Sequence, residues 1–241
     1  MPSNTLQTSR PIILEPCQAH HVLQFCMRHP ASNKHLIVCS PRDGFLQNLL
    51  FEIRQESQID NNTALDLLAP TLTNLHTSRN VQITFCSDLT NLRAYLSTLT
   101  YSFRQEDGET MSTDMGPRAQ SLLMVMNPVR VHQHTLSYSA QGFNRTFASI
   151  VDTAHCLGRH LIMVECSHPE DEYETGARED EDMLDGNHPA LNPWDQDVSM
   201  LNITTKTFGA GERGWVGRTV NIRRIAQRWF AFRKLEHVKL S

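Results

Sequence analysis

Long apolar runs are missing from this chain. No stretch approaches the ~20 consecutive apolar residues that a membrane-spanning helix needs. The opening "MPSNTLQTSRPIIL" has no apolar core behind a basic start. The expectation is therefore a soluble, intracellular protein without a secretory leader. A disulfide framework is missing as well. The six cysteines (17, 26, 39, 86, 156 and 166) are scattered, and Cys39, Cys86 and Cys166 each end an apolar run. That placement reads as small buried hydrophobes in a reducing compartment.

Also absent is the chemistry of a nucleotide-binding loop. The stretch "HLIVCSPRDGFLQNLL" (35–50) reads as an apolar strand, a polar turn with a glycine, and a helix start. A working P-loop needs backbone N–H groups from the turn, a lysine on the phosphates and a hydroxyl on magnesium. Here Pro41 supplies no N–H, Asp43 repels phosphate, and Phe45-Leu46 stand where the lysine and hydroxyl belong. Arg42 is the one group at this corner suited to an anion. The strand that should end in a magnesium-holding acid reads "SLLMVMNPVRVH", with Asn127 in that place. These departures argue against nucleotide hydrolysis, so no cofactor is expected and the corner reads as structural.

Metal and nucleophile signals are similarly thin. In "CQAHHVLQFCMRH", Cys17, His20, Cys26 and His29 have ligand chemistry. On one helix, however, Cys17 and Cys26 would lie about 13 Å apart at ~1.5 Å rise per residue. Zinc bonds are only ~2.0–2.3 Å long, so a single helix does not gather all four. An amphipathic helix is the simpler reading, and no metal is expected. His132 and His134 in "VHQH" are a weaker signal still. Cys166 and His168 have the residue types of a nucleophile and base, but the acidic segment beside them disfavours a thiolate. Ser40 and Ser139 have no base at a usable spacing. No catalytic set emerges.

What is present is a repeated alternation. "HLIVC" (35–39), "VQITFC" (81–86), "SLLMVM" (121–126) and "LIMVEC" (161–166) are nearly continuous apolar runs, as in strands of a parallel sheet covered on both faces. Helical patterns follow the first three: Phe45, Leu46, Leu49, Leu50 and Ile53 after Gly44, then Leu89, Leu92, Leu96 and Leu99. The third stripe is Phe143, Phe147, Ile150, Val151 and Ala154, with Gly158 as its C-cap. Ser87 or Asp88 serves as the cap of the second helix. Strand and helix in this order predict an α/β fold with a mostly parallel central sheet flanked by helices. "PIILE" and the helix after it form an N-terminal extension over residues 1–32, ahead of a domain spanning 33–241. After the fourth run, "VSMLNITTKTF" and "WVGRTVNIRRIAQRWFAF" flank "GAGERG" and predict a closing antiparallel hairpin, with Val216, Val220 and Ile222 on one side and Arg218 on the other. Residues 58–80 and 104–120 read as polar connections.

The net charge of −4 conceals a strong asymmetry. Nine acidic residues lie between Glu170 and Asp185 against Arg178 alone, inside an acidic loop predicted over 167–196. Lys206 to Ser241 carries nine basic residues against two acidic ones, a net +7. Within it Arg213, Arg218, Arg223, Arg224 and Arg228 are interleaved with Trp215, Trp229, Phe230 and Phe232. Guanidinium groups beside flat rings suit phosphate contact and base stacking. The alternative for each arginine is the solvent face of a hairpin whose aromatics lie in the core or at a subunit contact. For the segment as a whole, an acidic partner is the other reading, and the acidic loop is a candidate for it in cis.

From about residue 33 to 233 the order of elements resembles the RecA-like core of recombinase paralogs. "VCSPRDGFLQNLL" takes the Walker A corner and "SLLMVMNPVRVH" the Walker B strand. "SYSAQGFNRTFASIVDTAHCLGRHLIMVEC" looks like the helix and strand that follow, and "WVGRTVNIRRI" like the closing antiparallel strands. The resemblance implies a RecA-like domain without ATPase function, similar to Shu-complex subunits: a nuclear, non-enzymatic protein that pairs with another RecA-like subunit and assists homologous recombination. In such proteins the loop after the fourth core strand often contacts DNA. Here that loop is acidic, so the expected DNA contacts are Arg213, Arg218, Arg223, Arg224 and Arg228. The resemblance extends also to accessory Elongator subunits, cytoplasmic and tRNA-binding. A different class, a small α/β enzyme acting through Cys166, His168 and Asp195, stands as the other alternative.

Overall fold

Successive residues of the apolar runs point into two separate layers, which fixes the architecture. A computed structural model describes residues 10–59, 69–106, 121–166, 192–200 and 218–238. In chain order the elements are β1 (Ile12–Cys17), α1 (Ala19–Arg28), β2 (Asn33–Val38), α2 (Arg42–Ile59), α3 (Leu72–Ser78), β3 (Val81–Phe85) and α4 (Leu89–Glu106). They continue with β4 (Ser121–Met126), α5 (Ala140–Cys156), β5 (His160–Cys166), β6 (Asp197–Ser199), β7 (Thr219–Asn221), α6 (Ile222–Ala226) and β8 (Ala231–Arg233). Six strands form one parallel sheet in the order β3-β2-β4-β5-β1-β8. No described helix is long and apolar enough to cross a membrane.

Period-two alternation divides the core. Leu14, Leu36, Val38, Met124 and Val164 face Val22, Phe25 and Phe45 of α1 and α2. Ile13, Ile37, Leu123, Val125 and Met163 face Leu92, Leu96, Phe143, Phe147 and Ile150 of α4 and α5. Trp194, Ile225 and Phe230 extend this second layer. The α5 helix is closed by Gly158 as the sequence indicates, with Gly158 in the left-handed conformation at φ 61°, and at its start the Ser139 hydroxyl accepts the Gly142 N–H at 3.2 Å.

Several expectations need correction. The run at β3 is not covered on both faces. It is the sheet's outer strand, and Gln82 and Ile83 are exposed. The α2 helix begins at Arg42, so Gly44 lies within its first turn, and Leu46 and Leu50 are exposed while Phe45 and Ile53 are buried. Residues 72–78 form a helix, capped by Thr71 Oγ1 accepting the Asn74 N–H at 3.1 Å. The "PIILE" segment and the helix after it form a βα unit, as β1 and α1, and β1 lies between β5 and β8 in the sheet.

Near the C-terminus an antiparallel pair does form, as β6 and β7 with Val198 opposite Val220. Among the described residues β7 ends at Asn221. Asn221 Oδ1 accepts the Arg223 N–H at 3.0 Å and starts α6, so Ile222 is helical and not a strand partner of Val220. The chain then returns to the main sheet, where β8 runs parallel beside β1. The acidic block 170–185, the "GAGERG" turn, Val216 and Arg213 lie outside the described residues.

Candidate functional site

In open α/β sheets ligands bind at the carboxyl ends of neighbouring strands whose chains leave toward opposite faces. At the carboxyl end of β1, beside β5, the chain passes directly into α1, whose Val22 and Phe25 pack on one face of the sheet, while Trp194 is buried in the layer on the other. The positive N-terminus of α1 is therefore where an anion would sit.

That position is occupied from within. Gln18 precedes α1 and makes no side-chain cap. Instead Glu52, three turns into α2, places Oε2 at 3.2 Å from the His20 N–H, and the Ala19 N–H also bonds to this carboxylate. Burial pushes the Glu52 carboxyl up to about 7, opposed by the two backbone donors, with nearby Glu56 adding to the rise. The fully buried His20 ring lies between the two acids, with Nδ1 at 3.4 Å from Glu52 Oε2 and Nε2 against Glu56 Oε2. His21 Nε2 approaches the other Glu56 oxygen at 3.6 Å. Burial, and then the neighbouring His21, holds the His20 imidazole below its usual range, while Glu56 opposes this.

The positions compared with nucleotide-binding motifs serve the frame. Asn127 adopts the left-handed conformation at φ 59°, and its Oδ1 accepts the Cys166 N–H at 2.8 Å, tying β4 to β5. Behind it, buried Glu165 accepts the Val129 N–H. At the β2–α2 corner the Phe45 N–H bonds to the Pro41 carbonyl at 3.0 Å as a first helical turn, and Arg42 and Asp43 point to solvent.

Other sequence candidates are separated. Cys17 ends β1, and its thiol is pushed up to about 11 by burial and then by Glu52. Cys26 is likewise raised to about 11 by burial. His29 uses Nδ1 to accept the Ala31 N–H at 3.2 Å. The structure thus places His20 with α2 and not with Cys26 or His29. His132 is buried, with Nδ1 at 3.0 Å from the Ser137 carbonyl and Nε2 at 3.0 Å from Thr146 Oγ1, whereas His134 is exposed. Cys166 is buried in the sheet and raised well above the usual thiol range by burial. His168 lies outside the described residues.

The arginines divide into two kinds. Arg223 is held by Asp195 Oδ1 at 2.7 Å and Glu15 Oε1 at 3.0 Å, and its guanidinium stacks 4.5 Å over the Phe232 ring. Both carboxylates raise its pKa, so this arginine joins three segments of the fold, and Asp195 with it. Arg218, Arg224 and Arg228 are exposed. Sequence reasoning missed Glu52 and Glu56. Their i, i+4 spacing in "FEIRQES" puts them on one helix face, but nothing in the sequence shows that this face meets α1. The chain matches no protein-family model and no curated protein.

Proposed function

We propose that this chain is a RecA-like assembly subunit that assists homologous recombination by pairing with another RecA-like subunit, without turning over nucleotide. The observation that carries the non-catalytic reading is the Glu52 carboxylate seated on the N-terminus of α1. A phosphate entering this crevice would have to displace the Glu52 carboxyl from the two backbone N–H groups that it already satisfies.

Two surfaces support a binding role. Among the described residues β3 pairs only with β2, so its outer edge presents unpaired backbone groups, with Ile83 exposed on it. On α2, Leu46 and Leu50 stand one turn apart and exposed. An apolar helix face beside an open strand suits a protein partner. Exposed Arg218, Arg224 and Arg228 supply phosphate contacts for DNA.

The test is affinity purification of the tagged protein from its native cell, followed by mass spectrometry of stoichiometric partners. Recombination proteins, lost on Leu50→Glu and Ile83→Lys substitution, are the expected result. Elongator subunits would move the function to tRNA. A monomer without partners would overturn the reading.

A further inference from the structure

His20 and His21 are consecutive at the start of α1, yet their rings converge, with centroids 4.0 Å apart. Both turn an Nε2 toward the same carboxylate, Glu56 of α2. The two nitrogens and a Glu56 oxygen all lie within 4.8 Å of one another. On the far side of the His20 ring, Nδ1 faces Glu52.

Two atoms of this group are buried without a hydrogen-bond partner, His20 Nε2 and Glu56 Oε2, and they face each other. A cation held by Glu56 and the two Nε2 atoms would satisfy both and leave His20 Nδ1 facing Glu52. A carboxylate on one ring nitrogen and a metal on the other is the usual way a ligating histidine is oriented.

We propose that His20 Nε2, His21 Nε2 and the Glu56 carboxylate bind one divalent transition-metal ion, with zinc the fitting occupant, and that Glu52 orients His20 as a positioning residue. Two imidazoles and a carboxylate match the three-ligand zinc sites that leave a fourth position open. The His20 side chain is fully buried, while those of His21 and Glu56 are 40% and 19% exposed, so an ion enters and keeps water from the His21 side. The site joins α1 to α2 and does not depend on any subunit partner.

The test uses the full-length chain, stripped with chelator and titrated with Zn2+ and Co2+. One ion per chain is expected, with visible Co2+ d–d bands that lack strong sulfur-to-metal charge transfer, and a raised unfolding midpoint. His21→Ala and Glu56→Gln, both at partly exposed positions and so compatible with folding, should weaken binding by more than the roughly 10–100-fold expected for a change at the orienting Glu52. Cys17→Ser should leave affinity unchanged. Absence of stoichiometric binding, or binding unaltered by His21→Ala and Glu56→Gln, would overturn the proposal.

Discussion

Glu52 Oε2 and the His20 backbone N–H lie 3.2 Å apart, joining residues 32 positions distant in the chain. A side chain of one helix thereby performs the capping that α1 does not perform for itself. Glu52→Gln keeps an acceptor in place, whereas Glu52→Ala leaves two buried donors unpaired at about 1–3 kcal/mol for each unsatisfied group. The alanine variant should therefore unfold at lower urea than the glutamine variant. Sulfate should raise the midpoint of the alanine variant more than that of the glutamine variant, because it reaches the vacated helix terminus. Equal sulfate responses would show that the terminus is closed to anions for another reason.

Acid should destabilise the fold through two histidines remote from that site. Burial lowers His35 to about 4, with Arg159 adding to the fall, and burial lowers His132 to about 4. Arg159 donates to His35 Nδ1 at 3.2 Å, so Nε2 carries the proton of the neutral ring. As pH falls below the unfolded value of ~6.5, the unfolded chain binds a proton that the folded chain refuses. Stability is thus lost between about pH 6.5 and 4, by roughly 3 kcal/mol per histidine, and levels off below. Urea midpoints of His132→Gln measured across this window should show a shallower acid slope than wild type.

Arginine substitutions should separate into structural and binding effects. Arg223→Ala removes partly exposed ion pairs worth ~0.2–1 kcal/mol each and a stacking contact of similar size, so a loss of about 1–2 kcal/mol is expected. Arg218→Ala, Arg224→Ala and Arg228→Ala should each shift stability by less than about 0.5 kcal/mol. Together they should lower the salt dependence of DNA binding, by up to ~0.9 in slope for each phosphate contact removed. Fluorescence anisotropy over a salt series reads this directly, and an unchanged slope would remove the arginines from the interface.

Two glycines have opposite requirements. A Cβ at Gly142 would lie 1.9 Å from the Ser137 carbonyl oxygen, so Gly142→Ala should destabilise by at least the ~1–3 kcal/mol typical of overpacking. Nothing lies within 4 Å of a Cβ at Gly44, inside the first turn of α2, and Gly44→Ala should stabilise by about 0.5–1 kcal/mol. Thermal unfolding of both variants checks the pair.

The fold class was legible because β2, β4 and β5 are covered on both faces and so read as unbroken apolar runs, and because Gly158 marks the end of α5 locally. Strand order was not legible. Whether "VQITFC" is central or outermost depends on which strands flank it, and its own residues are equally apolar in either case. The site was hidden for a related reason. A search for ligands along one helix weighs His20 against Cys26 and His29, while its neighbours Glu52 and Glu56 come from another element. The closing segment misled because Ile222 continues the apolar alternation of β7, and the Asn221 cap wins locally.

The place of β1 in the sheet also sets an order of events in folding. Ile12, Ile13 and Leu14 take their neighbours from residues 162–164 on one side and 231–233 on the other. During synthesis this strand emerges ahead of both its partners, so its edges stay open while β2, β3 and β4 are already free to pair. Such long-range closure slows folding and leaves apolar surface open in the interim. The nascent chain thus carries a "PIILE" segment with one open edge until β5 is made and the other until β8 is made.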